Sequence, residues 1–266
     1  MKVRMYNVGF GDCFCLRDRK KSLLVDFGTN NSRIEGRPRR EIFDVIISDL
    51  STIKSKNLLL THFHMDHLSG LLYMMKKKDI SVDFGKIYLP DVFSKKEMSR
   101  TLVLLLLADL LKESGLPSRQ VSLFALVDAL LENKQNVELL SRGKLFENKY
   151  QALWPDTDVI WKETDEVYNR ICEDGKFKEV MDVLLEFAEK LRLIVWSMTA
   201  EGNKPAETVE KETDLTASEL TEQPEVRQKI IRAYVYEREF RRIKALPDFK
   251  KLLAWLNAVS YTHLTL

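Results

Sequence analysis

Asn57-Leu58-Leu59-Leu60-Thr61-His62-Phe63-His64-Met65-Asp66-His67-Leu68 is the stretch on which the reading of this 266-residue chain turns. Its first half, Asn57 to Thr61, is a short apolar run of the kind that forms a strand deep in a sheet. Its second half gathers three of the chain's four histidines, with an aspartate, into six residues. From Leu68 to about Lys78 the apolar residues Leu71, Leu72, Met74 and Met75 predict a helix. Its Lys76-Lys77-Lys78 end reads as a solvated terminus suited to the helix dipole. In an extended segment His62 and His64 project to the same side, and a turn into the helix brings Asp66 and His67 round to face them. Neutral imidazoles with a carboxylate form a borderline-soft donor set that suits Zn²⁺ better than Mg²⁺. A pair of such ions would activate a water and stabilise both oxygens of a hydrolytic displacement. His62, His64, Asp66 and His67 are therefore the candidate metal ligands.

Upstream, Val3 and Met5 alternate with Arg4 and Tyr6, Gly9-Phe10-Gly11-Asp12 carries turn chemistry, and Cys13 to Leu16 begins a second extended run. Together these predict a hairpin, with Gly9, Gly11 and Asp12 serving its geometry. A third strand, Ser22 to Phe27, ends on a carboxylate, Asp26, just before Gly28. Asp26 either accepts turn N–H bonds at the strand end or supports the metal ligands from behind. Arg39 to Ser51 carries Ile42, Val45, Ile46 and Leu50 at helical spacing, and Lys86 to Pro90 reads as a strand.

The remaining pattern is mostly helical. It runs from Ser94 to about Leu140 with a break at Gly115-Leu116-Pro117, turns strand-like from Gly143 to Trp154, and is helical again from roughly Glu163 to Trp196. Residues 201–225 hold eight acidic side chains, two lysines and two prolines, the composition of an acidic linker. A basic helix is expected from Glu225 to about Asn257.

The histidine-rich stretch resembles the H-x-H-x-D-H motif of the metallo-β-lactamase fold hydrolases, which sits between a strand and a helix as it does here. Asn7-Val8-Gly9-Phe10-Gly11-Asp12-Cys13 resembles the opening segment of the branch that includes nuclease-like domains of competence proteins. Leu24-Val25-Asp26-Phe27-Gly28 is similar to the family strand with its Asp-Gly end, and Leu153-Trp154-Pro155 is similar to a strand end in the same branch. The resemblance implies an α/β fold, the first half of an αββα sandwich interrupted by helical insertions. It also implies that His62 and His64 hold one Zn²⁺, that Asp66 and His67 hold a second, that Asp66 orients the attacking water, and that Asp26 is an inner support. The implied reaction is metal-dependent hydrolysis, with a phosphodiester in nucleic acid or a nucleotide as substrate.

The family's remaining ligands, from the second half of its sandwich, are not found. After His67 the only histidine is His263, and Ser260-Tyr-Thr-His-Leu-Thr-Leu266 resembles adaptor-derived residues. The expected organisation is a half-domain over 1–160 with a helical insertion at about 94–140, a helical insertion over 161–200, the acidic linker over 201–225, a helix over 226–258 and a non-native tail over 259–266. The missing ligands are expected beyond Leu266, and the chain alone is expected to be weakly active. The competing reading is a helical partner-binding module carrying a remnant metal site.

Composition narrows the partners. The 42 basic and 40 acidic residues leave a net charge of +2, so no long-range field singles out nucleic acid or an anionic membrane. The longest apolar run, Leu102 to Leu111, is interrupted by Asp109 and is far short of the ~20 residues of a membrane span. The N-terminus lacks the apolar segment of a secretory signal. Three cysteines, Cys13, Cys15 and Cys172, form no paired framework and read as reduced, packed thiols. A cytoplasmic location is expected.

Overall fold

The computed structural model describes residues 1–18, 21–77, 83–113, 123–133, 135–173, 175–199 and 238–259. The expected linker over 201–225, His263 and the 260–266 tail lie outside these residues. The chain divides into two compact units. One comprises Met1–Pro90 with Gln120–Trp154, and the other Asp91–Arg119 with Pro155–Leu266.

In the first unit, β1 (Lys2–Met5), β2 (Phe14–Asp18) and β3 (Lys21–Val25) form an antiparallel meander. A small hairpin of β4 (Arg33–Ile34) and β5 (Arg37–Pro38) leads into α1 (Arg39–Ser51). Beyond it β6 (Ser55–Leu59) runs parallel to β3, α2 (Met65–Lys76) follows, and β7 (Ile87–Pro90) runs parallel to β6. The chain returns through α4 (Leu123–Glu132) to β8 (Val137–Leu140), which completes a six-stranded mixed sheet in the order β1-β2-β3-β6-β7-β8. A last hairpin, β9 (Leu145–Phe146) with β10 (Tyr150–Gln151), follows.

The expected α/β class holds: the described strands make one mixed sheet and two small hairpins, consistent with part of a metallo-β-lactamase sandwich. The register shows why each face is apolar. Leu16, Leu23, Val25, Leu59, Tyr88 and Leu140 share one face, where Phe146, Tyr150 and Ala152 cover them. On the other face Cys15, Leu24, Leu58 and Ile87 are fully buried. Helix α1 buries Phe43, Ile46, Ile47 and Leu50.

Three sequence expectations need correction. The buried face of α1 is rotated from the predicted one: Val45 is 55% exposed, while the Phe43 ring meets Phe27 edge-on at 5.3 Å. Val137–Leu140 is not the end of a helix but a sheet strand paired with β7. Its four residues are too few for periodicity to separate strand from helix. Helix α2 begins at Met65 rather than Leu68, because His64 takes the extended N-cap conformation and Asp66 sits in the first turn, where a carboxylate suits the dipole.

The second unit is helical. The apolar run 102–111 lies in α3 (Ser99–Glu113), whose Leu102, Val103, Leu106 and Leu107 are buried. The expected 163–196 helix is two helices, α5 (Thr157–Cys172) and α6 (Lys178–Ser197), separated by a turn in which Gly175 takes a left-handed φ of 64°. Helix α6 buries nine side chains, Phe187 and Leu191 among them. Thr101 of α3 and Thr164 of α5 join hydroxyls at 2.7 Å, and Arg100 pairs with Asp165 while lying over the Tyr168 ring. The 225–257 expectation resolves, where described, into α7 (Arg238–Ala245) and α8 (Phe249–Val259). No helix among the described residues is long and apolar enough to cross a membrane.

Candidate metal centre

Strands β3 and β6 are parallel neighbours, so their carboxyl ends lie side by side, which is where α/β sheets present ligands. Asp26 leaves β3 and residues 61–64 leave β6 at that edge. Asp26 takes a left-handed φ of 54°, rare for a residue other than glycine and most accessible to Asn and Asp. That turn aims its carboxylate inward, where it is 3% exposed. Oδ1 accepts from the Thr61 backbone N–H at 2.8 Å. Oδ2 accepts from the Thr61 hydroxyl at 2.7 Å and from His67 Nδ1 at 2.9 Å. Since the Thr61 hydroxyl gives its proton to Asp26, it accepts from His62 Nδ1, 3.0 Å away. One buried carboxylate thus engages Nδ1 of His67 directly and Nδ1 of His62 through a threonine, which leaves both Nε2 atoms as the free donor positions.

The backbone around this carboxylate is unusually close-packed. Phe27 N–H donates to His67 O at 2.7 Å, Gly70 N–H to Phe27 O at 2.8 Å, and the Thr29 N–H to the buried Ser69 hydroxyl at 2.9 Å, clamping the loop after β3 onto α2. A Cβ on Gly28 would stand 2.6 Å from Asp66 C and Leu68 N. One on Gly11 would stand 2.7 Å from Asp66 O and from the Thr29 Cα. Only glycine lets these three segments approach. Gly11 therefore serves the packing of the site itself, not simply the hairpin turn.

His62, Asp66 and His67 each offer a ligand atom, and these atoms lie within 4.8 Å of one another. Modest side-chain rotation would close that to the ~3.4 Å between ligands of a tetrahedral ion with ~2.1 Å bonds. The donor set, two imidazole nitrogens and a carboxylate oxygen, is chemically suited to a divalent cation. The His62 and His67 rings stack at 3.7 Å, tilted by 51°. The His64 ring stands edge-on to His62 at 4.8 Å but falls outside the converging trio.

Electrostatics separate the two central histidines. Burial, together with the charges of His67 and His64, holds His62 below the usual histidine value and so favours a neutral, ligating ring. Burial also acts to lower His67, but its hydrogen bond to Asp26 and the charges of Asp26, Asp66 and Asp12 outweigh it and raise the value.

Asp12, read from sequence as a turn residue, stands with Oδ2 at 3.7 Å from His67 Nε2, about as close as Asp66 Oδ2 at 3.9 Å. The signal for it lay in the Gly-Asp pair: a glycine at a close backbone approach brings the residue after it to the same place. Cys13 and Cys15 are buried free thiols, and burial pushes Cys13 well above the usual thiol range, as packing residues would show. Lys77, beyond the end of α2, pairs with Asp44 at 2.5 Å.

Comparison with known proteins matches residues 6–91 to the metallo-beta-lactamase superfamily. The match spans β2 through β7, including Asp12, Asp26 and the whole histidine cluster, and the superfamily consists mostly of hydrolases. The chain is also similar to an endoribonuclease, YSH1, of Mycosarcoma maydis, at 32% identity over 77 residues, which is 29% of this chain. That stretch is 8% of the relative's length. No solved structure matches the chain significantly.

Proposed function

We propose that this chain carries the metal-binding part of a zinc-dependent hydrolase acting on phosphodiesters of nucleic acid or nucleotides. The observation that carries this reading is the convergence of His62, Asp66 and His67, with Nδ1 of both histidines held from behind and Nε2 facing forward. In this reading His62 and His64 hold one Zn²⁺ and Asp66 and His67 a second, and Asp66 also orients the attacking water. The metal supplies Lewis-acid polarisation and acidifies water near neutral pH. The chain's own contribution is positional: Asp26 and Thr61 set tautomer and ring orientation, and the glycine-lined approach at Gly11 and Gly28 keeps the carboxylates beside the imidazoles. The relative's activity as an endoribonuclease favours RNA as the first substrate to try. Three unpaired cysteines favour a reducing, cytoplasmic setting. The helical second unit is left in this reading for recognition of a protein partner.

The test is zinc content after loading and gel filtration, measured by plasma mass spectrometry, alongside cleavage of labelled single-stranded RNA and DNA. Wild type should retain zinc and cleave RNA in a chelator-sensitive way, and His67→Ala should lose both. Absence of bound metal, or cleavage indifferent to His67→Ala, would defeat the proposal.

A further inference from the structure

Asp26 occupies Nδ1 of His67, so any cation this ring holds must sit at Nε2. Two carboxylates flank that atom. Asp66 is one of the expected ligands, and Asp12, from the loop between β1 and β2, is the other. We propose that Asp12 is a direct ligand of the cation held by Asp66 and His67. The inference rests on the metal-centre reading and adds a residue to it.

Three observations carry it. The first is distance: Asp12 Oδ2 lies 3.7 Å from His67 Nε2, in the range expected between neighbouring ligands of one ion. The second is backbone anchorage. Asp12 donates its N–H to Asp66 O at 3.2 Å and accepts from Gly28 N–H at 3.2 Å, so its Cα is tied to both the ligand helix and the strand end that carries Asp26. Gly11, where a Cβ would stand 2.7 Å from Asp66 O, keeps the backbone just before residue 12 in close contact with the ligand helix. The third is setting. The Asp12 side chain is 45% exposed while His67 is 11% exposed, so the carboxylate stands at the open side of a half-buried imidazole.

The coordination arithmetic also changes. A zinc ion in a catalytic site takes three protein ligands and keeps one position open. Asp66 and His67 alone give two; Asp12 supplies the third from within the chain. Its negative charge also compensates the second charge of a divalent ion, which a histidine in that place would not do.

The experiment measures Zn²⁺ affinity by competition with a chromophoric chelator, and the visible spectrum of the Co²⁺-loaded protein, for wild type, Asp12→Asn, Asp12→Glu and His67→Ala. Asp12→Asn should weaken zinc binding at least tenfold and change the intensity and position of the Co²⁺ bands, since one oxygen anion leaves the ion. Asp12→Glu, which keeps the carboxylate on a longer arm, should recover part of the affinity. Unchanged far-ultraviolet circular dichroism in Asp12→Asn shows that the fold is intact. If wild type binds metal and Asp12→Asn binds it within twofold, or binds it more weakly with an unaltered Co²⁺ spectrum, Asp12 is not a ligand while the metal centre stands. If wild type binds neither metal, the metal-centre reading falls and takes this inference with it.

Discussion

The sheet edge around His67 and the helical core around Phe187 are held together by different physics. At the sheet edge, stability and chemistry share residues: Asp26 is buried, takes a left-handed φ and holds three donors at once. Around Phe187 the buried side chains of α6 are all apolar, and they follow the period of the helix. The contrast teaches that the region around His67 is specified by polar geometry and backbone contact, and the region around Phe187 by apolar packing. A conservative change should therefore be tolerated in one and punished in the other.

The largest effect is expected from Phe187→Ala, which removes a fully buried ring in α6 and should cost about 4 kcal/mol in urea denaturation. Zinc affinity of the folded fraction should be unchanged; a loss would show that the two regions are not independent. Asp26→Ala should cost about 3 kcal/mol, because it orphans the Thr61 N–H, the Thr61 hydroxyl and His67 Nδ1. Unlike the phenylalanine change, it should also abolish metal retention. Asp26→Asn keeps the residue type that tolerates the left-handed turn and should cost less.

Two glycines sharpen the contrast. Gly28→Ala forces a Cβ into Asp66 and Leu68 backbone and should destabilise by about 3 kcal/mol, whereas Gly175→Ala meets open space and costs about 1 kcal/mol for its left-handed φ. Comparable losses in thermal denaturation would remove the distinction between the regions. The smallest effect concerns Asp49 of α1. Burial acts to raise its value, but hydrogen bonds from Tyr6 and Arg4 and the charges of Arg4 and Arg17 outweigh it and hold the carboxyl below the usual aspartate range. A lowered carboxyl stabilises the fold above the ordinary aspartate value of ~4 and loses that contribution as pH falls through the lowered one. Asp49→Asn should therefore flatten the acid limb of the stability curve below about pH 4. At pH 7 it should cost no more than about 1 kcal/mol, given the partial exposure of the pairs.

Much of the sheet edge was legible because its signals are local. The apolar run before Thr61, the spaced histidines and the strand ending on Asp26 each declare themselves within a few residues. Thr61 and Asp12 were not legible as parts of the site, since their roles depend on which turn Asp26 takes and on how near Gly11 comes to Asp66. Val137–Leu140 was misread for a related reason: pairing with β7 across an excursion of more than forty residues leaves no periodic trace. The second unit's helices were legible in kind but not in number, because the break at Gly175 depends on a backbone conformation that a lone glycine permits without requiring.

The route of the chain has its own consequence. It leaves the first unit after Pro90, comes back by Gln120 and departs again after Trp154, so each unit is stitched from two separated lengths of polypeptide. Helix α3 is therefore synthesised well before α5 and α6, the helices that cover it, and β8 joins the sheet only after that excursion. During translation the greasy face at Leu102–Leu107 must wait fifty further residues for α5 to begin and ninety for α6 to end, an interval of exposure that makes the nascent intermediate a natural client for chaperones.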